Sequence, residues 1–170
     1  MTEPLDDETL AFAERVFNLV RAGDTEQIGP VLTAGLPANL RNGAGDSLLM
    51  LASYHGHLAT SRLLLEHGAD PELANDKGQT PLAGVVFKGN MELVNLLLEH
   101  GADVNGCPPG GKTPLMFAAM FNRCDMVDRL IEAGADINAT DLEGRRAIDL
   151  ADAMGAADTV EQLRRMQQST

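Results

Sequence analysis

The sequence predicts an all-α solenoid of helix–turn–helix units stacked in a single row, and three observations predict it. The first is periodicity: Ser47-Leu48-Leu49, Thr80-Pro81-Leu82, Thr113-Pro114-Leu115 and Arg146-Ala147-Ile148 recur every 33 residues. Gly45, Gly78, Gly111 and Gly144 keep that spacing, as do Gly35, Gly68, Gly101 and Gly134. A third series, Gly23, Gly56, Gly89 and Gly155, is interrupted once, by Asn122. The second observation is that each unit carries its own helix starts and stops. The third is a core vocabulary of Leu, Ala, Val and Met, with no Trp, one Tyr and five Phe. A single globule of this length draws on more aromatic bulk than that, whereas helix-on-helix packing does not need it.

The elements follow in order within one unit. Asp76-Lys77-Gly78-Gln79 is a turn, and the Thr80 hydroxyl is placed to cap the next helix. Pro81 falls at the first helical position, where its missing N–H costs nothing. The first helix runs from about Pro81 to Lys88 and stops at Gly89. Asn90 opens a second helix, Met91 to Glu99, with Leu93, Leu96 and Leu97 on its apolar side. His100 ends that helix, Gly101 supplies a left-handed stop, and Ala102-Asp103-Val104-Asn105 links to the next turn.

Thr80-Pro81-Leu82 with Leu96-Leu97-Leu98-Glu99-His100-Gly101-Ala102-Asp103 resembles the signature of the ankyrin repeat family. So does Thr113-Pro114-Leu115 with Leu130-Ile131-Glu132-Ala133-Gly134-Ala135-Asp136. The resemblance implies five stacked helix-turn-helix repeats with β-hairpin-like fingers, in a curved all-α solenoid. It places an N-terminal cap at 9–41, repeats at 42–74, 75–107 and 108–140, and a C-terminal cap at 141–167. Residues 1–8 are then an acidic tail, with Asp6-Asp7-Glu8 solvated, and 168–170 a second tail.

The ends are expected to differ from the middle. The apolar column Leu65, Leu98, Ile131 becomes Arg164 in the last unit, where no further repeat needs covering. At the other end Thr25 stands where Leu58 and Met91 stand later, and Gly29-Pro30 is expected to interrupt or kink the second helix.

Three departures from the family pattern stand out. The histidine that follows Thr-Pro-Leu and ties neighbouring loops is replaced by Met50, Ala83, Met116 and Asp149. Cys107-Pro108-Pro109-Gly110-Gly111 predicts an atypical finger, since the prolines fix torsions and the glycines free them. Gly84 is a poor residue for a helix interior. Large neighbours at its repeat-equivalents, Leu51 and Phe117, are expected to fill the space it leaves, so that Gly84→Leu would overpack.

Several function classes are disfavoured. A formal charge of −12 is opposed to phosphate backbones and anionic membranes. Cys107 and Cys124 form no C-x-x-C pair or disulfide framework. The N-terminus has no basic, apolar leader pattern and no stretch reaches transmembrane length, so a cytoplasmic protein is expected. His67 and His100 share a repeat position and lie about 10 Å apart by helix spacing, too far to share a zinc ion. His55-Gly56-His57 is an ordinary inter-helix sequence. Cys124 falls in the apolar column of Leu58 and Met91 and is expected in the core, while Cys107 is expected near a finger surface. Gly43-Ala44-Gly45 and Gly110-Gly111 lack the Lys-Ser/Thr that completes a phosphate loop. No catalytic, metal or cofactor residue is assigned, and no enzyme is expected.

The resemblance implies a protein partner on the concave face, contacted by finger tips and first helices. By register the finger positions are Arg41, Asp46, Asp76, Lys77, Gln79, Pro109, Lys112, Glu143 and Arg145. The helix positions are Tyr54, His55, Phe87, Lys88, Met120, Phe121 and Met154. Two features of this set were not imposed by the register. Tyr54, Phe87 and Met120 share one repeat position with Phe121 beside them, and aromatic and Met side chains anchor interfaces. All three lysines of the chain also fall here, which makes this face neutral to basic on an acidic body. A groove across three repeats would bury about 800 Å² on each partner. The expected function is a non-catalytic scaffold or adaptor, acting as a monomer. The alternatives are an inhibitor or immunity-type protein masking one enzyme, and a redox- or metal-linked protein using Cys107 and the histidines.

Overall fold

The computed structural model of the chain describes residues 6–169, so Met1–Leu5 of the expected acidic tail and Thr170 lie outside it. Among the described residues there are helices and turns, with one isolated antiparallel bridge, Arg41 to Ser47, in place of strands. Five hairpins follow one another. They are α1 (Asp7–Ala22) with α2 (Thr25–Thr33), α3 (Leu48–Tyr54) with α4 (Leu58–Glu66), and α5 (Pro81–Lys88) with α6 (Met91–Glu99). Then come α7 (Pro114–Met120) with α8 (Cys124–Glu132), and α9 (Ala147–Ala153) with α10 (Ala157–Gln168). The odd-numbered helices pack on one another in succession, and each also packs on its own even-numbered partner.

Local chemistry explains the helix starts. The Ser47, Thr80 and Thr113 hydroxyls accept from the backbone N–H of Met50, Ala83 and Met116 at 3.1, 3.3 and 3.3 Å. Arg146 has no short hydroxyl, and the cap is reversed there. Asp149, at the position of the missing histidine, accepts from the Arg146 N–H at 2.9 Å. Burial is continuous beneath the helices: Leu64, Leu97, Leu130 and Leu163, one from each of four repeats, are fully buried. Arg164 in the last repeat is exposed, as an end cap requires.

Two expectations at the N-terminus are corrected. Asp6-Asp7-Glu8 is not wholly a solvated tail, because α1 starts at Asp7 and Asp6 caps it, accepting from the Thr9 N–H at 2.7 Å. Those hydrogen bonds hold the Asp6 carboxyl below its usual range, and Asp7 and Glu8 lie at the positive end of the helix. Nor does Pro30 interrupt α2, which runs through it from Thr25 to Thr33. Gly29 has no Cβ to press on the proline ring, and the carbonyl left without a donor belongs to Glu26, which is exposed. Thr25 has a reason too: its hydroxyl lies 3.1 Å from that of Thr60 in the next repeat.

Asn122, the exception in the glycine series, has φ +56°, so it keeps the left-handed turn. Its side chain then does what glycine cannot. Oδ1 accepts from the N–H groups of Asp158 and Thr159, both at 3.1 Å, and Nδ2 donates to Asp158 Oδ2 at 2.8 Å. Helix α10 starts after Ala156, which has no capping side chain, so its cap comes from the previous repeat.

The fingers are turns built on a side-chain acceptor. Asn42 Oδ1 accepts from Ala44 and Asp46, Asn75 Oδ1 from Lys77 and Gln79, and Asp141 Oδ1 from Glu143 and Arg145. The equivalent of these three residues in the fourth repeat is Pro108. As expected, this finger departs from the rest: its left-handed residue is Gly110, whereas the others use Gly45, Gly78 and Gly144. Adjacent fingers are tied by Asp76 N–H donating to the Ala44 carbonyl at 3.2 Å, and by Leu142 N–H donating to Gly110 at 3.0 Å. The register-equivalent donor between those two junctions is Pro109, which has no N–H, and there Pro108 rests on Gly78 instead.

The polar tie that the missing histidines would supply is rebuilt lower down. Asn39 accepts from the Asp70 N–H at 2.8 Å, Glu72 from Asp103 at 2.7 Å, and Asn105 from Asp136 at 2.8 Å. Glu72 alone is charged, and burial, with Asp103 and Asp70 nearby, pushes its carboxyl above the ordinary range despite the Asp103 N–H. A raised carboxyl favours the folded state while protonated. Its contribution is present below the ordinary glutamate pKa and is lost as pH rises through the folded value. Glu72→Gln keeps the acceptor and removes that loss. The melting temperature at pH 7 should therefore rise relative to wild type, with the difference vanishing toward pH 4. A variant less stable at pH 7 would contradict this.

Candidate functional site

The residues expected to face a partner separate into two groups. The helix group comes together. Tyr54, Phe87 and Phe121, at the ends of α3, α5 and α7, are 40%, 43% and 37% exposed, although each is large and apolar. Phe87 sits edge-on between Phe121, at 5.3 Å between ring centroids, and Phe117, at 6.3 Å. Lys88 Nζ lies 4.9 Å from the centroid of the Tyr54 ring, and the His55 ring meets Tyr54 edge-on at 5.8 Å. Met120 is half-buried against the core and Met154 is exposed. The result is a row of rings crossing three repeats on the side where the first helices end.

The finger group divides. Asp76 pairs with Arg41 at 3.2 Å, the Gln79 carboxamide oxygen accepts from Asn75 at 3.1 Å, and Asp46 accepts from Asn42 and Asn75. Arg145 is held by Asp141 at 2.8 Å and Glu143 at 2.9 Å, and its hydrogen bonds lower the Asp141 carboxyl from its usual range. These charges hold the fingers together. Lys77 and Lys112 take part in no ion pair among the described residues, and Pro109 is exposed.

Sequence reasoning missed two members of the row. Phe117 reaches Phe87 from inside α7. Arg123 lies over Phe121, 5.6 Å from the ring centroid, and donates to the Val86 carbonyl at 3.1 Å. It occupies the position of His57, whose ring makes the same kind of reach, Nε2 lying 2.7 Å from the Arg21 carbonyl. That shared position, just after the left-handed inter-helix residue (Gly56 or Asn122), was the available signal.

Gly84 belongs to this row for a reason other than the expected one. A Cβ there would touch Tyr54 Cδ2 at 3.5 Å and no other side chain within 4 Å, so Tyr54, rather than Leu51 or Phe117, lies over the space. The contact is an ordinary one, and no left-handed torsion is involved. Gly84→Ala is therefore expected to stabilise the protein by about 0.5–1 kcal/mol through helix propensity. A denaturant midpoint below that of wild type would refute it.

The remaining groups offer little chemistry. His67 and His100 each place Nδ1 2.9 Å from the carbonyl four residues back and close their own helices. No three His, Cys, Asp or Glu side chains among the described residues are arranged to hold a metal ion. Cys124 is half-buried rather than in the core. It lines a shallow, open depression between α8 and α10 with Asp158, Glu161, Gln162, Arg165 and Met166. Burial and then Asp158 raise its thiol, while burial and then Asp103 raise Cys107, the opposite of nucleophile activation. No helix among the described residues is long and apolar enough to cross a membrane.

Comparison with known proteins agrees with this architecture. The family described as ankyrin repeats (3 copies) matches residues 17–106 and 49–141, which together span most of the chain. An ankyrin repeat protein of Pseudomonas aeruginosa is 56% identical over 59 residues, 35% of this chain and 34% of the relative. The match thus spans about a third of that relative's length. Ankyrin repeats are generally protein–protein interaction modules. From the 33-residue period, the capped hairpins and the family match together, the chain belongs to the ankyrin repeat family.

Proposed function

We propose that this chain is a non-catalytic binding module whose array, residues 9–167, holds a partner protein on the concave face of fingers and first helices. One observation carries the reading. In a chain with one Tyr and five Phe, four of those six rings are exposed, Phe12 on α1 and three, Tyr54, Phe87 and Phe121, in a row over α3, α5 and α7. Exposed rings held by their neighbours, Phe87 by Phe121 and Tyr54 by His55 and Lys88, present an apolar area that loses little side-chain freedom on binding. The stacked hairpins beneath supply a stiff support, and two free thiols suit a reducing, cytoplasmic setting. The chain acts as a monomer, and its specificity comes from shape and a few anchor side chains.

The test is a direct comparison of wild type with Tyr54→Ala/Phe87→Ala. A partner captured on immobilised wild type is purified and its affinity for both proteins measured by calorimetry. Affinity should fall at least tenfold, because each anchor contributes on the order of 1–2 kcal/mol, while helicity and melting temperature stay near wild type. Full affinity in the double variant would move the site to another face.

A further inference from the structure

We propose that the occupant of this face is an acidic, extended polypeptide segment. Its carboxylates pair with Lys77, Lys88 and Lys112, and an apolar side chain seats on the Phe87–Phe121 pair. This rests on the reading that the face binds protein, and adds the chemistry of what it binds.

The argument is an imbalance of charge. The chain carries 25 acidic residues against 13 lysines and arginines. Its ion pairs among the described residues all use arginine: Arg41, Arg145, Arg146, Arg164 and Arg165. The lysines are three, all on this face, and none has a carboxylate within ion-pair distance among the described residues. In so acidic a protein unpaired lysines gathered on one side require a local shortage of free carboxylates, and the finger contacts create it. Asp76 is paired with Arg41 and Glu143 with Arg145, while Asp46 is held by the neutral amides of Asn42 and Asn75 and keeps its charge. Two of the three anions of the face are paired from within; its lysines are not.

The aromatic row reinforces this without neutralising it. Lys88 is drawn over the Tyr54 ring, and Arg123 over Phe121 while bonded to a carbonyl. A ring face or a carbonyl holds a cation in place and leaves its full charge available. Spacing adds the form of the ligand. Neighbouring repeats lie about 10 Å apart, and an extended chain advances about 3.3 Å per residue. Every third residue of such a segment therefore meets the next repeat. Nucleic acid is the other polyanion, but the body's net charge of −12 opposes a long phosphate backbone.

The test uses fluorescein-labelled nonapeptides with aspartate at every third position and leucine or phenylalanine between. Controls are the same peptide with asparagine for aspartate, and a nine-nucleotide oligothymidylate. Binding is followed by anisotropy, and its place by amide shifts in the ¹⁵N spectrum of the full chain. The aspartate peptide should bind, shift the amides of Lys77, Lys88, Phe87 and Phe121, and weaken at least fivefold between 50 and 300 mM salt. Lys77→Gln/Lys112→Gln should weaken it at least tenfold with unchanged circular dichroism. Equal binding of the asparagine peptide at the same amides would overturn the acidic chemistry and leave the face as a protein site. Tighter binding of oligothymidylate, or no binding by any probe, would overturn it as well. An aspartate peptide that shifts only other surfaces would sink both readings.

Discussion

Gly89→Ala is expected to lower the unfolding free energy by about 2–3 kcal/mol, the largest effect of any single methyl group considered. Gly89 closes α5 at φ +83°, where an L side chain costs about 1–2 kcal/mol. Its N–H still donates to the Val85 and Val86 carbonyls at 2.9 and 3.1 Å, so the turn itself cannot relax away from that torsion. A Cβ there would coincide with the Arg123 guanidinium, which must leave the Val86 carbonyl, a further cost of about 1 kcal/mol. Gly101 has nearly the same torsion, φ +87°, and nothing within 4 Å of a built Cβ. Gly101→Ala should thus show only the torsional part. Urea unfolding of the two variants separates the contributions, and equal losses would remove Arg123 from the account. Five residues before Gly89, the same substitution at Gly84 should raise stability.

Asn122→Ala is expected to cost about 2 kcal/mol, and Asn122→Gly about half of that. Alanine loses both of the residue's contributions. It tolerates φ +56° less well than asparagine, and it leaves the N–H groups of Asp158 and Thr159 without their acceptor. Glycine relieves the torsion and loses only the cap, worth about 1 kcal/mol. The order wild type, glycine, alanine in thermal midpoint is the measurement. Glycine at or above wild type would show that the cap contributes nothing.

What could be read in sequence divides along a physical line. Thr80, Pro81 and Gly89 delimit α5 because caps and stops act within a few residues, and the predicted Pro81–Lys88 and Met91–Glu99 are the observed helices. Tyr54 and Phe87 were legible as one row because a fixed period turns linear spacing into a shared face, whereas the next register position is the half-buried Met120 and the exposed ring belongs to its neighbour Phe121. The finger charges were not. Whether Arg145 or Lys112 is free depends on Asp141 and Glu143 folding back, and register alone does not say which cation is already paired. Arg123 was missed because its reach to the Val86 carbonyl crosses 37 positions. Asp6 looked like part of a solvated acidic run because a cap and a charge run are written with the same residues.

The two prolines of the fourth finger have a consequence beyond their own turn. Fingers joined by amide-to-carbonyl bonds resist shear, since sliding lengthens every bond together. Between the fingers of Lys77 and Pro109 that bond is missing, and the third and fourth units are joined through side chains instead, by Asn105 to Asp136, Arg129 to Asn95 and Arg123 to Val86. Phe87 stands on one side of that junction and Phe121 on the other. A ligand seated on both rings would therefore bridge a junction whose finger tips share no backbone bond.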